Sequence, residues 1–291
     1  MVKEKKTKKS EDEVKEEKPE EAKVEIIETE EKNDDAIKPE EKVKTAYDAV
    51  DEEQYLKESV RIFDESWKPK TNLGRKVRQG EINEIDEVLD KGEYIQEPQI
   101  IDSLVPGIES DFLMIGQSKG KFGGGKRKIF RQTQKKTKEG NKPKFEIMAI
   151  VGNKNGYIGL GYGKSKETVP SREKAIRNAK LNLIKIKRGC GSWQCGCKGP
   201  HTIPYAVEAR CGSVEIKLRP APKGTGLKVE KECAKMLALA GIKDIWGMAR
   251  GKTTTKINLM NACFKALKKL TDVKTQEKFV SELGIVEGRL K

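Results

Sequence analysis

The sequence predicts an α+β fold in which a polar, acidic tail precedes two small modules of antiparallel strands and helices. Three observations indicate this class. Apolar residues occupy every second position over 145–151, and apolar and polar residues alternate over 214–219, as they do in strands. Apolar residues recur three and four positions apart over 176–186 and 260–270, which is typical of one helix face. Clusters of glycine, proline and asparagine separate these segments and indicate turns.

Composition and charge restrict the partners of the protein. The 291 residues include 60 Lys and Arg against 46 Asp and Glu, which gives a formal net charge of +14. This excess indicates a polyanionic partner, and charge alone leaves nucleic acid and an anionic membrane surface open. No apolar run could span a bilayer, and the N-terminus has no apolar signal core. We therefore expect a cytoplasmic protein whose six cysteines are reduced.

The N-terminal part of the chain differs sharply from the rest in charge. Residues 1–58 contain 13 Lys, no Arg and 21 acidic residues, a net charge of −8 that leaves +22 on the remainder. Residues 1–43 are low in complexity and poor in aromatics, so we expect a disordered Lys/Glu-rich tail. This tail is either simply solvated or a shield and partner arm for the basic body.

Residues 44–127 are predicted to form an N-terminal extension with short helices and a basic glycine loop. Thr45–Phe63 has helical spacing, and a second amphipathic helix over 82–91 should end near Gly92. Pro98 and Pro106 bracket a further turn or helix. A cluster of cations precedes these elements and either coats the surface or contacts phosphate: Lys68, Lys70, Arg75, Lys76 and Arg78.

The glycine-rich stretch 118–128 does not predict a nucleotide site. Gly120, Gly125 and Lys126 have the spacing of a phosphate-binding P-loop, but Arg127 occupies the position where Ser or Thr must bind Mg²⁺. A second near match at 161–165 fails because Ile158 replaces the first glycine. We therefore expect no nucleotide and no other cofactor.

The first module, 128–188, is predicted to contain three strands followed by one helix. Period-two alternation and an Asn-Gly turn place the strands at Lys128–Thr137, Lys144–Val151 and Tyr157–Gly163, with connections Lys138–Pro143 and Asn153–Gly156. A helix that begins near Pro170 is expected to bury Ile176, Ala179, Leu183 and Ile186. Three antiparallel strands and a helix are typical of a double-stranded-RNA-binding-like domain.

An RNA-binding surface is predicted on this module. Glycines at every second position of the third strand strip side chains from one face, and a bare backbone beside Lys164 and Lys166 would let a phosphate backbone approach closely. We therefore expect a nucleic acid and no membrane as the partner. The predicted RNA-binding residues are Lys126, Arg127, Lys128, Lys138, Lys142, Lys144, Lys154, Tyr157, Gly159, Gly161, Gly163, Lys164, Ser165, Lys166, Arg172, Arg177 and Lys180.

A Cys- and Gly-rich linker, 189–212, leads to a second α+β domain at 213–271, and 272–291 is left as a C-terminal tail. Ser213–Arg219 alternates as a strand, and a helix from Val229 should end at Gly241. A short strand is expected over Lys243–Ala249. The last helix carries one apolar stripe, formed by Met260, Cys263, Leu267 and Leu270.

Two interpretations of the linker cysteines stay open. Cys190, Cys195, Cys197 and His201 are a chemically sound Zn²⁺ ligand set, but the spacing contains no C-x-x-C. The alternative is a glycine-rich turn with packed thiols and a histidine that is hydrogen-bonded between the two modules, and no metal is assigned. Trp193 is expected to be a packing anchor rather than a platform for base stacking. Cys233 and Cys263 lie on apolar stripes and are expected in the core. A single histidine without a paired nucleophile and base indicates that the protein is not an enzyme.

Several long segments resemble one known family. GNKNGYIGLGYGKSKETVP, PHTIPYAVEARCGSVEIKLRPAPKGTGL and LALAGIKDIWGMARGKTTTKIN are similar, in this order, to small-subunit ribosomal protein S5. The resemblance covers about 67–271, and NLGRKVRQGEINEIDEVL is typical of its archaeal and eukaryotic branch.

The resemblance implies a structural constituent of the small ribosomal subunit. It implies binding to small-subunit rRNA, a place at the messenger RNA entry channel beside ribosomal proteins S4 and S8, and a contribution to decoding accuracy. Segment 138–144 would correspond to an extended loop near the subunit neck. A free regulator that binds double-stranded RNA is the main alternative, because it would share the physics of the first module.

Overall fold

The computed structural model describes residues 67–117 and 127–289. The predicted tail at 1–43, the predicted helix Thr45–Phe63, most of the glycine loop and Lys126 lie outside the described residues. Within the described ranges the protein is a mixed α+β fold, as predicted.

An antiparallel sheet of five strands forms the centre of the first module. Its strand order is β1-β3-β4-β5, with β2 paired to β3. The strands are β1 Glu109–Phe112, β2 Arg131–Thr137, β3 Gly140–Gly152, β4 Tyr157–Ser165 and β5 Leu183–Lys185, and helix α4 spans Thr168–Leu181. Strands β1 and β5 add an edge on each side of the three predicted strands.

Three short helices precede the sheet: α1 Asn72–Gln79, α2 Ile85–Lys91 and α3 Gln99–Leu104. Thr71 caps α1 by accepting a hydrogen bond from the backbone N–H of Gly74, at 3.1 Å. Gly92 ends α2 in the left-handed conformation, with φ +69°, as its position in the sequence predicts. The apolar faces of these helices pack together with Tyr157 and Leu183 of the sheet.

The second module has a four-stranded sheet in the order β7-β8-β10-β9. Its elements are β7 Val207–Cys211, β8 Val214–Pro220, β9 Leu227–Lys228, α5 Lys231–Leu239, β10 Ile245–Gly251 and α6 Lys256–Asp272. The alternation of β8 and the apolar stripe of α6 are confirmed, because all seven predicted apolar residues are buried: Val214, Ile216, Leu218, Met260, Cys263, Leu267 and Leu270.

The segment that the sequence leaves as a tail carries regular structure. Helix α7 spans Glu277–Leu283, and strand β11, Val286–Glu287, pairs antiparallel with β6, Lys187–Arg188. Neither element has a long apolar period, so the sequence pattern alone does not identify them.

Two other predictions for the first module are wrong in detail. The connection between β2 and β3 is a tight turn rather than a loop over Lys138–Pro143, because Thr137 pairs with Gly140, whose φ is +107°. Helix α4 ends before Leu183 and Ile186, which are buried, Leu183 in β5 and Ile186 directly after it. The buried stripe of the helix consists of the small residues Ser171, Ala175 and Ala179.

The central sheet is covered on both faces. Ile147, Ala149 and Val151 of β3 pack against α4. The alternate residues of β3 and β4 enter one large core together with the strands and helices of the second module; they are Met148, Ile150, Ile158 and Leu160. The two modules therefore share a core.

The turn between β3 and β4 is fastened to the second module by backbone hydrogen bonds. The N–H of Lys154 donates to the carbonyl of Leu239 at 2.8 Å, and that of Gly156 donates to Ala240 at 3.2 Å. A side chain on Gly241, at φ +85°, would lie 2.2 Å from the carbonyl oxygen of Lys154. The predicted helix end at Gly241 therefore also makes room for this turn.

None of the helices in the described ranges is long and apolar enough to cross a membrane.

Gly161→Ala is expected to lower the free energy of unfolding by about 2–4 kcal/mol. A Cβ at this position would lie 2.1 Å from the backbone nitrogen of Ala179 and 2.2 Å from the carbonyl oxygen of Ala175, so the helix must move away from the strand. Urea unfolding measures the change. Gly196→Ala is the control, because its Cβ would have no neighbour within 4 Å; equal stability of the two variants would contradict the packing argument.

The N-terminal extension is expected to loosen at acid pH through Glu97. Its carboxylate accepts hydrogen bonds from the backbone N–H groups of Lys70 and Thr71, at 2.8 and 2.6 Å, and from the indole N–H of Trp67, at 2.8 Å. Burial acts to raise the pKa of Glu97, but these donors outweigh it and hold the pKa below the ordinary 4.5. The stabilisation is therefore present above the ordinary pKa and is lost as pH falls through the lowered one.

The indole N–H resonance of Trp67 provides the measurement. It should shift cooperatively in the acid range in the wild-type protein and lose that transition in Glu97→Gln. An unchanged transition in the variant would assign the acid response to another group.

Candidate nucleic-acid interface

The glycines of β4 do not form an open face for phosphate. A Cβ on Gly159 would lie 2.1 Å from the carbonyl oxygen of Ala179, and one on Gly163 would lie 2.2 Å from that of Ser171. Helix α4 thus fills the face that Gly159, Gly161 and Gly163 leave bare, so this face is not the open backbone surface that the sequence analysis predicts. The small residues of the strand pack against the small residues of the helix, because larger side chains would keep the two backbones apart.

Tyr157 does not lie on the surface. Its ring is buried, and its hydroxyl donates to Asp86 at 2.8 Å. Burial raises the pKa of Tyr157, and the neighbouring Asp86 raises it further. The residue joins the N-terminal extension to the sheet, and its role in RNA binding stays a prediction.

The predicted cations outside the glycine strand lie mainly on exposed positions of two elements. One is the basic ribbon, Arg131–Thr137 with Gly140–Phe145, which extends beyond the end of β4 because Phe145 pairs with Ser165. The ribbon and its turn expose Lys138, Lys142 and Lys144, and Lys142 pairs with Glu139 at 2.6 Å. The other element is the outer face of α4, with Arg172 and Arg177 exposed.

Ion pairs divide these cations into two groups. Lys154 pairs with Glu109, Lys164 with Glu146, and Lys180 with Asp102. Among the described residues, no acidic side chain pairs with Lys144, Lys166, Arg172 or Arg177. The ribbon, the end of β4 and the start of α4 adjoin one another, because Phe145 pairs with Ser165 and the hydroxyl of Ser171 donates to the carbonyl of Phe145 at 2.9 Å. The four cations therefore lie on neighbouring elements and form a basic edge, which also exposes Glu167 and Glu173. Ser165 lies within this edge.

An open groove of about 1270 Å³ lies between the first sheet and the start of α6. Arg127 and Lys128, both predicted from the sequence, line one side of it. Thr254, Thr255 and Asn258 line the other side, where the first N–H groups of α6 give a positive helix end. The groove thus combines cations with a helix N-terminus, both of which favour anions.

Glu146 lies at the wall of this groove as a buried acid. It pairs with Lys164 and accepts a hydrogen bond from the hydroxyl of Tyr162. Burial acts to raise the pKa of Glu146, but these two partners hold it below 4.5. Burial and the same hydrogen bond raise the pKa of Tyr162. The half-exposed Tyr162 ring is therefore held in place against the groove.

Sequence reasoning missed several surface residues. Arg131 and Tyr162 line the groove, although no sequence pattern distinguishes them from their neighbours. The open face of the second sheet exposes Trp246 and Met248 beside Arg250. Alternation in β10, opposite the outward residues of β8, is the signal that could have identified this face.

The linker cysteines are brought together. The sulfur atoms of Cys190, Cys195 and Cys197 and a ring nitrogen of His201 all lie within 4.8 Å of one another. Trp193 is 88% exposed, so the prediction that it anchors the packing is wrong. Cys233 and Cys263 are buried in the core, as predicted.

The fold and the surface define the class of the chain: a two-module α+β protein with a basic edge and an anion-compatible groove. Its sequence matches the profile "Ribosomal protein S5, N-terminal domain" over residues 129–187 and "Ribosomal protein S5, C-terminal domain" over 209–278.

The chain aligns with nearly the whole length of several similar proteins. The small ribosomal subunit protein uS5 of Nanoarchaeum equitans is 50% identical over 226 residues, 78% of this chain and 97% of that protein. The uS5 proteins of Methanocaldococcus jannaschii and Picrophilus torridus are 44% and 45% identical, over 79% and 78% of this chain and 100% and 96% of their own lengths. The chain belongs to the uS5 family of small ribosomal subunit proteins, which confirms the resemblance found in the sequence, on its archaeal side.

The hydroxyl of Tyr162 is expected to ionise well above the ordinary pKa of 10. The Glu146 carboxylate accepts a hydrogen bond from this hydroxyl and disfavours a second negative charge beside it. Glu146→Gln should therefore lower the pKa of Tyr162. Carbon-13 NMR of labelled tyrosine rings measures both values. Tyr157 is the internal control, since its hydroxyl donates to Asp86 and not to Glu146. A change in the pKa of both tyrosines in Glu146→Gln would indicate general loosening of the structure.

Proposed function

We propose that the protein is a structural constituent of the small ribosomal subunit, in the cytoplasm, and binds small-subunit rRNA through the basic edge and the groove. The observation that carries the proposal is family membership over nearly the full length of the relatives. The surface supports it independently, because the ribbon, Lys166 and α4 expose cations that have no acidic partner within 67–117 and 127–289. No catalytic role is proposed.

The physical basis of such binding is charge and shape. A-form RNA has a deep major groove that side chains cannot enter, so phosphate contacts and backbone geometry dominate recognition. Each phosphate that a Lys or Arg neutralises releases counterions, which makes the affinity high and dependent on salt. The half-exposed ring of Tyr162 in a cationic groove adds a surface on which an unpaired base can stack.

We further propose contacts with messenger RNA near the entry channel and with the neighbouring ribosomal proteins S4 and S8, and thereby an influence on decoding accuracy. These roles follow from the family. The basic ribbon is the element of this chain best suited to reach a second partner, since it projects beyond the module that carries it. Removal of its turn, residues 137–140, should raise misreading in a reporter assay if the ribbon serves decoding.

A free regulator that binds double-stranded RNA is the alternative, and sedimentation separates the two. The tagged chain should migrate with the small subunit in low salt and stay there after a high-salt wash. Release to the top of the gradient would favour the free regulator.

Removal of two unpaired cations should weaken RNA binding and its salt dependence together. Lys166→Gln with Arg177→Gln is expected to reduce the slope of log K against log salt by about 1.5, because each lost phosphate contact contributes about 0.7–0.9. Filter binding to an rRNA fragment over a salt series measures the slope.

The matched control removes the same charges from the second module. Lys217 and Arg210 are ion-paired there, with Glu208 at 3.0 Å and Glu215 at 3.3 Å. Lys217→Gln with Arg210→Gln should change the slope less. Equal slopes for the two double variants would show that net charge, and not the basic edge, determines binding.

A further inference from the structure

The loop 189–201 connects β6 of the first module with the second module. At its base, Gly189 and Thr202 exchange backbone hydrogen bonds of 2.9 and 3.1 Å. Further out, Trp193 and Cys197 are exposed, and the backbone makes only short local turns such as Cys195 N–H to Ser192 at 3.1 Å. Lys198 adopts a left-handed backbone with φ +51°, which is uncommon outside glycine.

Four potential metal ligands converge inside this loop. The Nε2 atom of His201 lies 3.4 Å from the sulfur of Cys190 and 3.8 Å from that of Cys195. Cys197 completes a set in which all ligand atoms lie within 4.8 Å of one another. Tetrahedral zinc, with Zn–S of about 2.3 Å and Zn–N of about 2.0 Å, requires edges of about 3.5–3.8 Å. The two measured edges that involve the histidine are close to this range.

The imidazole of His201 is oriented as a metal ligand. Its Nδ1 lies 2.9 Å from a carboxylate oxygen of Asp244, and both side chains are buried. The other oxygen of Asp244 accepts the N–H of Gly226 at 2.8 Å, so the carboxylate is held from two sides. With a proton on Nδ1, the lone pair of Nε2 points at the thiols. A carboxylate behind a ligating histidine is the usual second partner of a zinc site.

We propose that Cys190, Cys195, Cys197 and His201 bind one structural Zn²⁺ ion. Three cysteines and one histidine leave no open coordination position, which is typical of structural sites and unlike catalytic ones. The metal would take the place of an apolar core for this loop. On binding, each thiol loses its proton to solvent and the metal keeps its oxidation state.

The site would also position the segment that follows α6. The N–H of Cys190 donates to the carbonyl of Leu283 at 2.8 Å, and a Cβ on Gly284 would lie 1.9 Å from the carbonyl oxygen of Lys198. The end of α7 therefore packs directly on the loop. Loss of the metal should increase hydrogen exchange in residues 277–289 as well as in the loop.

Metal content of the full-length chain tests the proposal. Protein produced with zinc and dialysed against metal-free buffer should retain about one Zn²⁺ per chain by elemental analysis, as a closed four-ligand site predicts. Cys195→Ser and Cys197→Ser should each lose most of this zinc while circular dichroism stays unchanged, since Cys197 is exposed and Cys195 is only partly buried. Cobalt in place of zinc should give the ligand-field and charge-transfer bands of tetrahedral thiolate coordination.

Two controls keep the result interpretable. Cys211→Ser changes a cysteine of β7 outside the cluster and should retain the metal. Asp244→Asn leaves all four ligands intact and should weaken zinc affinity by about 10–100-fold in a chelator competition. Equal zinc in wild type and Cys195→Ser, or no retained zinc in the wild type, would overturn the proposal in favour of packed thiols.

Discussion

The close approach of helix α4 to strand β4 is the constraint on which the rest of the first module depends. Three alternate glycines on the strand and three small residues on the helix bring the backbones together, as the 2.1 Å separation for a Cβ at Gly161 shows. With α4 on one face and the second module on the other, the sheet has no free face in its central part. The cations are therefore displaced to the ribbon, the strand end and the outside of the helix, where they form one edge.

The junction between the modules is held by backbone hydrogen bonds and one buried arginine. The β3–β4 turn bonds to the end of α5, and the guanidinium of Arg188 lies in the same seam, where it donates to Asn155 at 2.8 Å and to the carbonyl of Gly288 at 3.0 Å. Desolvation lowers the pKa of this buried arginine. A charge held in this way fixes the relative placement of turn, β6 and β11, since moving any of them would leave it without partners. The shared apolar core then makes the two modules one unit.

Much of the fold could be predicted from the sequence because periodicity reports burial. The stripe on α6, the alternation of β8 and the helix end at Gly241 follow directly from it. The end of α4 could not be predicted, because Leu183 and Ile186 continue the helical spacing although both lie beyond the helix. The neighbour of the glycine stripe could not be predicted either, since a bare strand face is equally suited to a phosphate and to a helix of small residues. Short elements such as β9 and β11 are set by distant partners rather than by their own sequence.

The candidate site could likewise be predicted only in part. Exposed lysines are evident from charge, but their ion pairs are not, because Glu109 and Asp102 come from elements far away in the chain. The cysteine cluster has no standard spacing, and its convergence depends on the bridge between Gly189 and Thr202.

Strand β11 has a consequence for biosynthesis. It pairs with β6, which is about 100 positions earlier in the chain, and Gly288 accepts a hydrogen bond from Arg188. During translation this junction stays incomplete until residue 288 has left the exit tunnel. A nascent chain that stalls before that point lacks the Gly288 carbonyl, so the buried guanidinium of Arg188 loses one of its two hydrogen-bond acceptors and keeps Asn155.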